Sequence, residues 1–188
     1  MKEQDKSRVI SSVHTILEAI EGKPLRKELL ETPDRVYRAL EEMLDGYNVS
    51  IPDLFTSFDD EGHDQIVIAK DIPFFSTCEH HLILFSGRAH IAYLPKDKVI
   101  GASKLPRILY AYSRRLQLQE RITRQVADAI MQYLEPLGVT VILEGKHGCI
   151  SCRGVKSDCS FVTSIMLGVF RDERTIRMEV LSLLGLRS

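Results

Sequence analysis

Cys78, His80 and His81 fall within four positions in the stretch STCEHH, and a second thiol pair, Cys149 and Cys152, lies in KHGCISCRG. Thiolate and imidazole together suit a borderline-soft divalent ion, zinc above all. The CxxH spacing, in a tight turn, aims Cys78 and His81 at one point. The second pair then allows two sites with different chemistry. If Cys149 and Cys152 both ligate, the tetrahedron closes and the metal is structural; if Cys149 ligates alone, three protein ligands leave the fourth position to water, as in a catalytic site. The run from Thr140 to Val155 reads as extended, and strand alternation puts His147, Cys149 and Arg153 on one face and Cys152 on the other. That pattern favours the open site. His80 stands between two readings, a surface imidazole or an acid/base group beside the metal. His14 and His63 fall in a helix and a polar loop away from these motifs, and His90 belongs to an apolar strand with Ile91 and Tyr93.

The elements around these motifs divide into a helical start and a β-rich remainder. Val9, Ile10, Val13, Ile16, Leu17 and Ile20 recur at helical spacing over Ser7 to Ile20. A second helix is expected over ETPDRVYRALEEMLDG, with Thr32 as N-cap, Pro33 at the first helical position and Gly46 past the end. The polar DDEGHD separates residues 1–62, a helical region, from residues 63–188, where QIVIAKDI, RAHIAYLP, VTVILEGKH and FVTSIMLGVF read as strands. Between the second and third of these lie two consecutive helices, SKLPRILYAYSRRL and QERITRQVADAIMQYLE. The latter carries a stripe of Ile122, Val126, Ala129, Ile130 and Tyr133. Asp172 caps a last helix bearing Ile176, Val180 and Leu184. Strands grouped around a consecutive helix pair predict an α+β fold with an antiparallel sheet. The apolar stripe of the first helix predicts packing against another subunit.

The 188 residues, 44% hydrophobic, suffice for one well-cored unit. With 25 basic and 26 acidic side chains, the net charge of −1 gives no global field for nucleic acid or a membrane surface, so a polyanion needs a local cationic cluster. The charged start and the lack of a membrane-length apolar run predict a cytoplasmic protein with reduced cysteines.

STCEHH, VIGASKLPRI, LQLQERITRQVADAI, KHGCISCRGV and FVTS followed by GVFRD occur in the order and approximate spacing of GTP cyclohydrolase I, which the chain resembles from Glu31 to its end. The resemblance implies a tunnelling fold and a homodecamer of two pentamers with active sites between subunits. It also implies one Zn2+ per subunit and conversion of GTP and water to formate and 7,8-dihydroneopterin triphosphate, the entry to folate and related pterins. Cys78, His81 and Cys149 would hold the zinc, whose bound water attacks C8 of the purine. His80 would donate a proton to the imidazole ring, His147 would hydrogen-bond near the reacting centre, and Ser103 would lie near the ribose. Glu120 would read guanine by accepting from N1–H and the exocyclic amine, with Gln119 beside it. Without the resemblance, Glu120 reads as a solvated carboxylate at a helix start. Lys104, Arg107 and Arg153 would cradle the triphosphate, and Arg35 and Arg38 could reach it from a neighbouring subunit. The residues specify no regulatory protein. Three features depart from the family pattern: Pro106 in SKLPR, Cys152, and KSDCS at 156–160. Through Cys152 an alternative stands: a non-catalytic or altered-specificity fold relative that binds a purine or pterin, with a closed structural zinc site of Cys78, His81, Cys149 and Cys152.

Overall fold

The computed structural model describes residues 3–59 and 63–185. It divides into two compact units, Met1–Asp45 and Gly46–Ser188. The first holds helices α1 (Glu3–Glu21) and α2 (Thr32–Met43). α2 starts one residue before Pro33, with Glu31 rather than Thr32 at the N-cap position. Ile16 and Ile20 of the α1 stripe are exposed.

The second unit is built on a five-stranded sheet. In chain order come β1 (Ser57–Asp59), β2 (Val67–Cys78), β3 (Leu84–Leu94), β4 (Lys98–Ile100), α3 (Lys104–Ser113), β5 (Leu116–Gln117), α4 (Gln119–Leu134) and β6 (Gly138–His147). Then follow the single turn α5 (Gly148–Ser151), β7 (Ser160–Gly168), α6 (Val169–Asp172) and α7 (Arg174–Leu184). The sheet order is β5-β2-β3-β6-β7, and β1 and β4 form a separate pair. All main pairings are antiparallel, as the strand grouping predicts, while the two-residue β5 lies parallel to Thr77 and Cys78 of β2. β5 fills the junction between α3 and α4, where the sequence offers no turn pair.

The helix pair packs on one face of the sheet. Ile108 and Leu109 of α3 and Ile122, Val126 and Ile130 of α4 are fully buried against Ile91, Tyr93, Val141 and Leu143. Each such side chain contributes roughly 1.5–3 kcal/mol by leaving water. Tyr133, at the end of the stripe, is exposed. Phe170, Val180 and Leu184 bury part of the opposite face with Ala92 and Ile142. The final helix begins after Glu173 rather than Asp172, because Val169 and Phe170 leave the strand for the short turn α6. His90 is buried on β3, where its Nδ1 accepts the Asp71 backbone N–H at 3.2 Å.

The turn out of β7 depends on Gly168, which has φ of 59° and ψ of −140°. A Cβ there would also land on the Leu137 carbonyl oxygen. Gly168→Ala is therefore expected to destabilise the fold by about 2–4 kcal/mol, combining backbone strain with overpacking. The urea unfolding midpoint at fixed protein concentration measures it.

Candidate active site

The β2–β3 connection is a tight loop, closed by the Cys78 N–H donating to Ile83 O at 3.0 Å and the Leu82 N–H donating to Cys78 O at 2.9 Å. It carries Cys78, buried at the strand end, and His80 and His81, both exposed. Two contacts fasten it to β5 and to the start of α4. The Glu79 N–H donates to Gln117 O at 3.1 Å, and the Arg121 guanidinium grips both Glu79 carboxylate oxygens, one of them at 3.0 Å. That guanidinium holds the Glu79 carboxyl below its ordinary range.

Cys149 arrives from the other side of β3. Strand β6 ends at His147, and the chain turns into α5 rather than running extended to Val155. The expected alternation of His147, Cys149 and Arg153 along one strand face is thus broken. The turn is possible because Gly148 has no side chain: a Cβ there would approach Leu84 O to 2.7 Å. It still delivers Cys149 to the loop. The ligand atoms of Cys78, His81 and Cys149 lie within 4.8 Å of one another, with Cys78 Sγ 3.9 Å from His81 Nδ1. Tetrahedral zinc, with bonds of about 2.3 Å to sulfur and about 2.0–2.1 Å to nitrogen, needs donor separations of roughly 3.5–3.8 Å, so the set fits with a small closure. Burial pushes the Cys149 thiol up, and the Cys78 thiol beside it adds to the shift. Cys152 is exposed and is not part of this donor group.

A cavity of about 270 Å³ opens beside Cys78, His81 and Cys149, lined also by His80, Gln119, Glu120, His147, Phe85 and Phe161. Glu120 is exposed in the first turn of α4. The His147 ring stacks on Phe85 with centroids 4.5 Å apart and planes 5° from parallel, and Phe161 meets it edge-on at 5.4 Å. Burial lowers the His147 pKa below the usual imidazole value, opposed by the Glu120 carboxylate. The aromatic walls escape a reading of the sequence, because Phe85 faces His147 only through the β3–β6 register.

The structure thus gathers Cys78, His80, His81, Gln119, Glu120, His147 and Cys149 around one space. Ser103, Lys104 and Arg107, at the start of α3, and Arg153, in the loop after α5, do not line it. Arg35 and Arg38 belong to the helical unit, ion-paired within α2's neighbourhood to Glu31 at 2.6 Å and Asp34 at 2.9 Å. Among the described residues, no helix is long and apolar enough to cross a membrane.

Residues 9–185 match the family model for GTP cyclohydrolase I. A GTP cyclohydrolase 1 from Clostridioides difficile (strain 630) is 46% identical, covering 100% of both chains. One from Caldanaerobacter subterraneus subsp. tengcongensis is 47% identical over 96% of this chain and 97% of its own length. Another, from a Synechococcus species, is 48% identical over 94% of this chain and 78% of its own. With the curled antiparallel sheet and its helix pair, these matches make the chain an α+β tunnelling-fold protein, and it belongs to the GTP cyclohydrolase I family of enzymes that act on GTP.

Proposed function

We propose that this chain opens the imidazole ring of GTP at C8, releases formate, and closes the rearranged product to 7,8-dihydroneopterin triphosphate, with zinc held by Cys78, His81 and Cys149. The observation that carries the reading is the three-donor group at the wall of a cavity that also holds Glu120 and two further imidazoles. Zinc, when bound there, supplies a Lewis acid and makes a water-derived nucleophile accessible near neutral pH.

The chain's own residues supply the rest. Glu120 accepts from guanine N1–H and the exocyclic amine, which fixes the purine and turns its imidazole ring toward the ligand cluster. His80, exposed at the loop tip, donates a proton to the ring so that C8 becomes more electrophilic. His147 accepts a hydrogen bond at the reacting centre. Phe85 and Phe161 keep the ring's surroundings apolar and strengthen each polar contact.

Ser103 would meet the ribose, and Lys104, Arg107 and Arg153 the triphosphate, with Arg35 and Arg38 adding charge. Within one chain Ser103, Lys104, Arg107 and Arg153 stand outside the cavity lining, which supports sites completed by neighbouring subunits; the assembly proposed is the homodecamer of two pentamers that the family resemblance implies. The exposed Ile16 and Ile20 of α1 suit burial in such an assembly. Four free thiols suit a reducing cytoplasm.

Zinc content and GTP turnover measured on one purified sample test the reading. About one zinc per chain, with formate and the dihydropterin triphosphate released together, is expected. Tightly held zinc without turnover would overturn it.

A further inference from the structure

From the hydrogen bonds around one buried amide we infer that Gln119 is a positioning residue that holds His147 as its Nε2–H tautomer, so that Nδ1 is offered to the cavity as an acceptor. The inference rests on the proposed reaction for its catalytic consequence, but its structural part stands on the bonds alone.

Gln119 is 1% exposed, and its amide nitrogen lies 3.0 Å from Leu143 O, 2.9 Å from Phe161 O and 3.2 Å from Thr163 Oγ1. Two of these partners are backbone carbonyls, which only accept. The atom facing them must therefore be the NH2 group, and the opposite atom must be Oε1. The hydroxyls agree. Thr123 gives its single proton to Gln119 O at 2.8 Å, so across the 2.7 Å contact between the two threonines Thr163 is the donor, leaving a lone pair for the Gln119 amide. Gly145 leaves the space this amide occupies, since a Cβ there would come to 2.5 Å from Oε1.

With its orientation fixed, Oε1 sits 3.0 Å from His147 Nε2. An oxygen acceptor at that distance requires a proton on Nε2, and in the neutral ring Nδ1 is then unprotonated. Nδ1 has no hydrogen-bond partner among the described residues, and the ring lines the cavity. Turning the ring over in its own plane would put a carbon where Nε2 meets Gln119 Oε1 and lose that bond, while the stack on Phe85 holds the plane itself. His147 is thereby an acceptor toward substrate or water, and His80 is left as the imidazole free to donate. The two histidines of the cavity are set apart in role by a residue that need not touch the purine.

The test is the long-range 1H–15N correlation pattern of His147 in zinc-loaded, 15N-histidine-labelled protein, at a pH where the ring is neutral. The Nε2–H pattern alone is expected. Gln119→Met, which keeps the length and removes Oε1, should give a mixture of tautomers and a kcat lower by about 10–100-fold with KM little changed. Gly145→Ala, which crowds the same oxygen, should move both readouts in the same direction. An Nδ1–H pattern in the unaltered protein overturns the inference. So does a Gln119→Met protein with a single tautomer and full kcat. If Gln119→Met does not fold, the unaltered protein and Gly145→Ala decide the matter. An Nε2–H ring in a protein that produces no dihydropterin would leave the positioning role standing and remove the proposed reaction instead.

Discussion

A Cys149→Ser protein is expected to purify folded, to retain far less than one zinc per chain, and to turn over GTP at least ~10³-fold more slowly than the unaltered chain. Folding should survive because Cys149 is half-buried on the single turn α5 and contributes only a thiol to the edge of the core. Metal retention should not. A serine hydroxyl stays protonated at neutral pH, which leaves Cys78 and His81 as two ligands of a site built for three. The environment of Cys149 sharpens the contrast, since burial and the neighbouring Cys78 thiol both disfavour a thiolate unless a cation compensates. Cys152→Ser is the paired measurement. Cys152 is exposed and outside the donor group, so its zinc content and turnover should stay within about 2-fold of the unaltered chain, in the range of ordinary surface substitutions. Loss of zinc from Cys152→Ser would restore the closed four-ligand site. Elemental analysis and formate release, run on both variants, give the answer.

How the sequence leads to this site, and where it stops doing so, follows from the range of the interactions involved. The buried stripe of α4 is local, a matter of residues three and four apart, and Ile122, Val126, Ala129 and Ile130 are buried as their spacing predicts. The CxxH pair is also local, and the hairpin loop brings Cys78 and His81 together. Cys149 shows the limit. Strand alternation favoured the same three-donor set, yet the strand stops at His147, and a glycine-enabled turn against Leu84 delivers the thiol. That contact joins residues more than sixty positions apart and leaves no periodic trace. Phe85 over His147, β5 beside Thr77 and Cys78, and the Gln119, Thr123 and Thr163 chain likewise join distant segments with no periodic trace. Residue type and short spacing identify groups capable of chemistry; sheet register and helix docking decide which atoms face one another.

Glu120 is where that distinction has its largest consequence for specificity. As an exposed carboxylate in the first turn of a 16-residue helix it needs no function, because the helix dipole alone stabilises it. Its place on the rim of the ligand cavity supports guanine recognition. Glu120→Gln tests the two explanations, since it keeps the shape and exchanges one of two acceptors for a donor. Each hydrogen bond to the charged group is worth about 1.5–3 kcal/mol, and the exchanged one becomes a donor facing a donor. A loss of about 3–4 kcal/mol in transition-state stabilisation follows, a fall in kcat/KM for GTP of about 10²–10³-fold, expressed mainly in KM because the contact is made before and during the chemistry. Inosine triphosphate, which lacks the exocyclic amine, makes the measurement specific. The unaltered protein should prefer GTP over it by about 10–100-fold, one charged hydrogen bond's worth, and Glu120→Gln should narrow that gap. A solvated carboxylate without a ligand would instead give unchanged kcat/KM for both nucleotides and a stability change below about 1 kcal/mol. The Arg121–Glu79 pair one residue on anchors the β2–β3 loop independently of Glu120, so a loss seen in Glu120→Gln with full zinc content belongs to the purine contact.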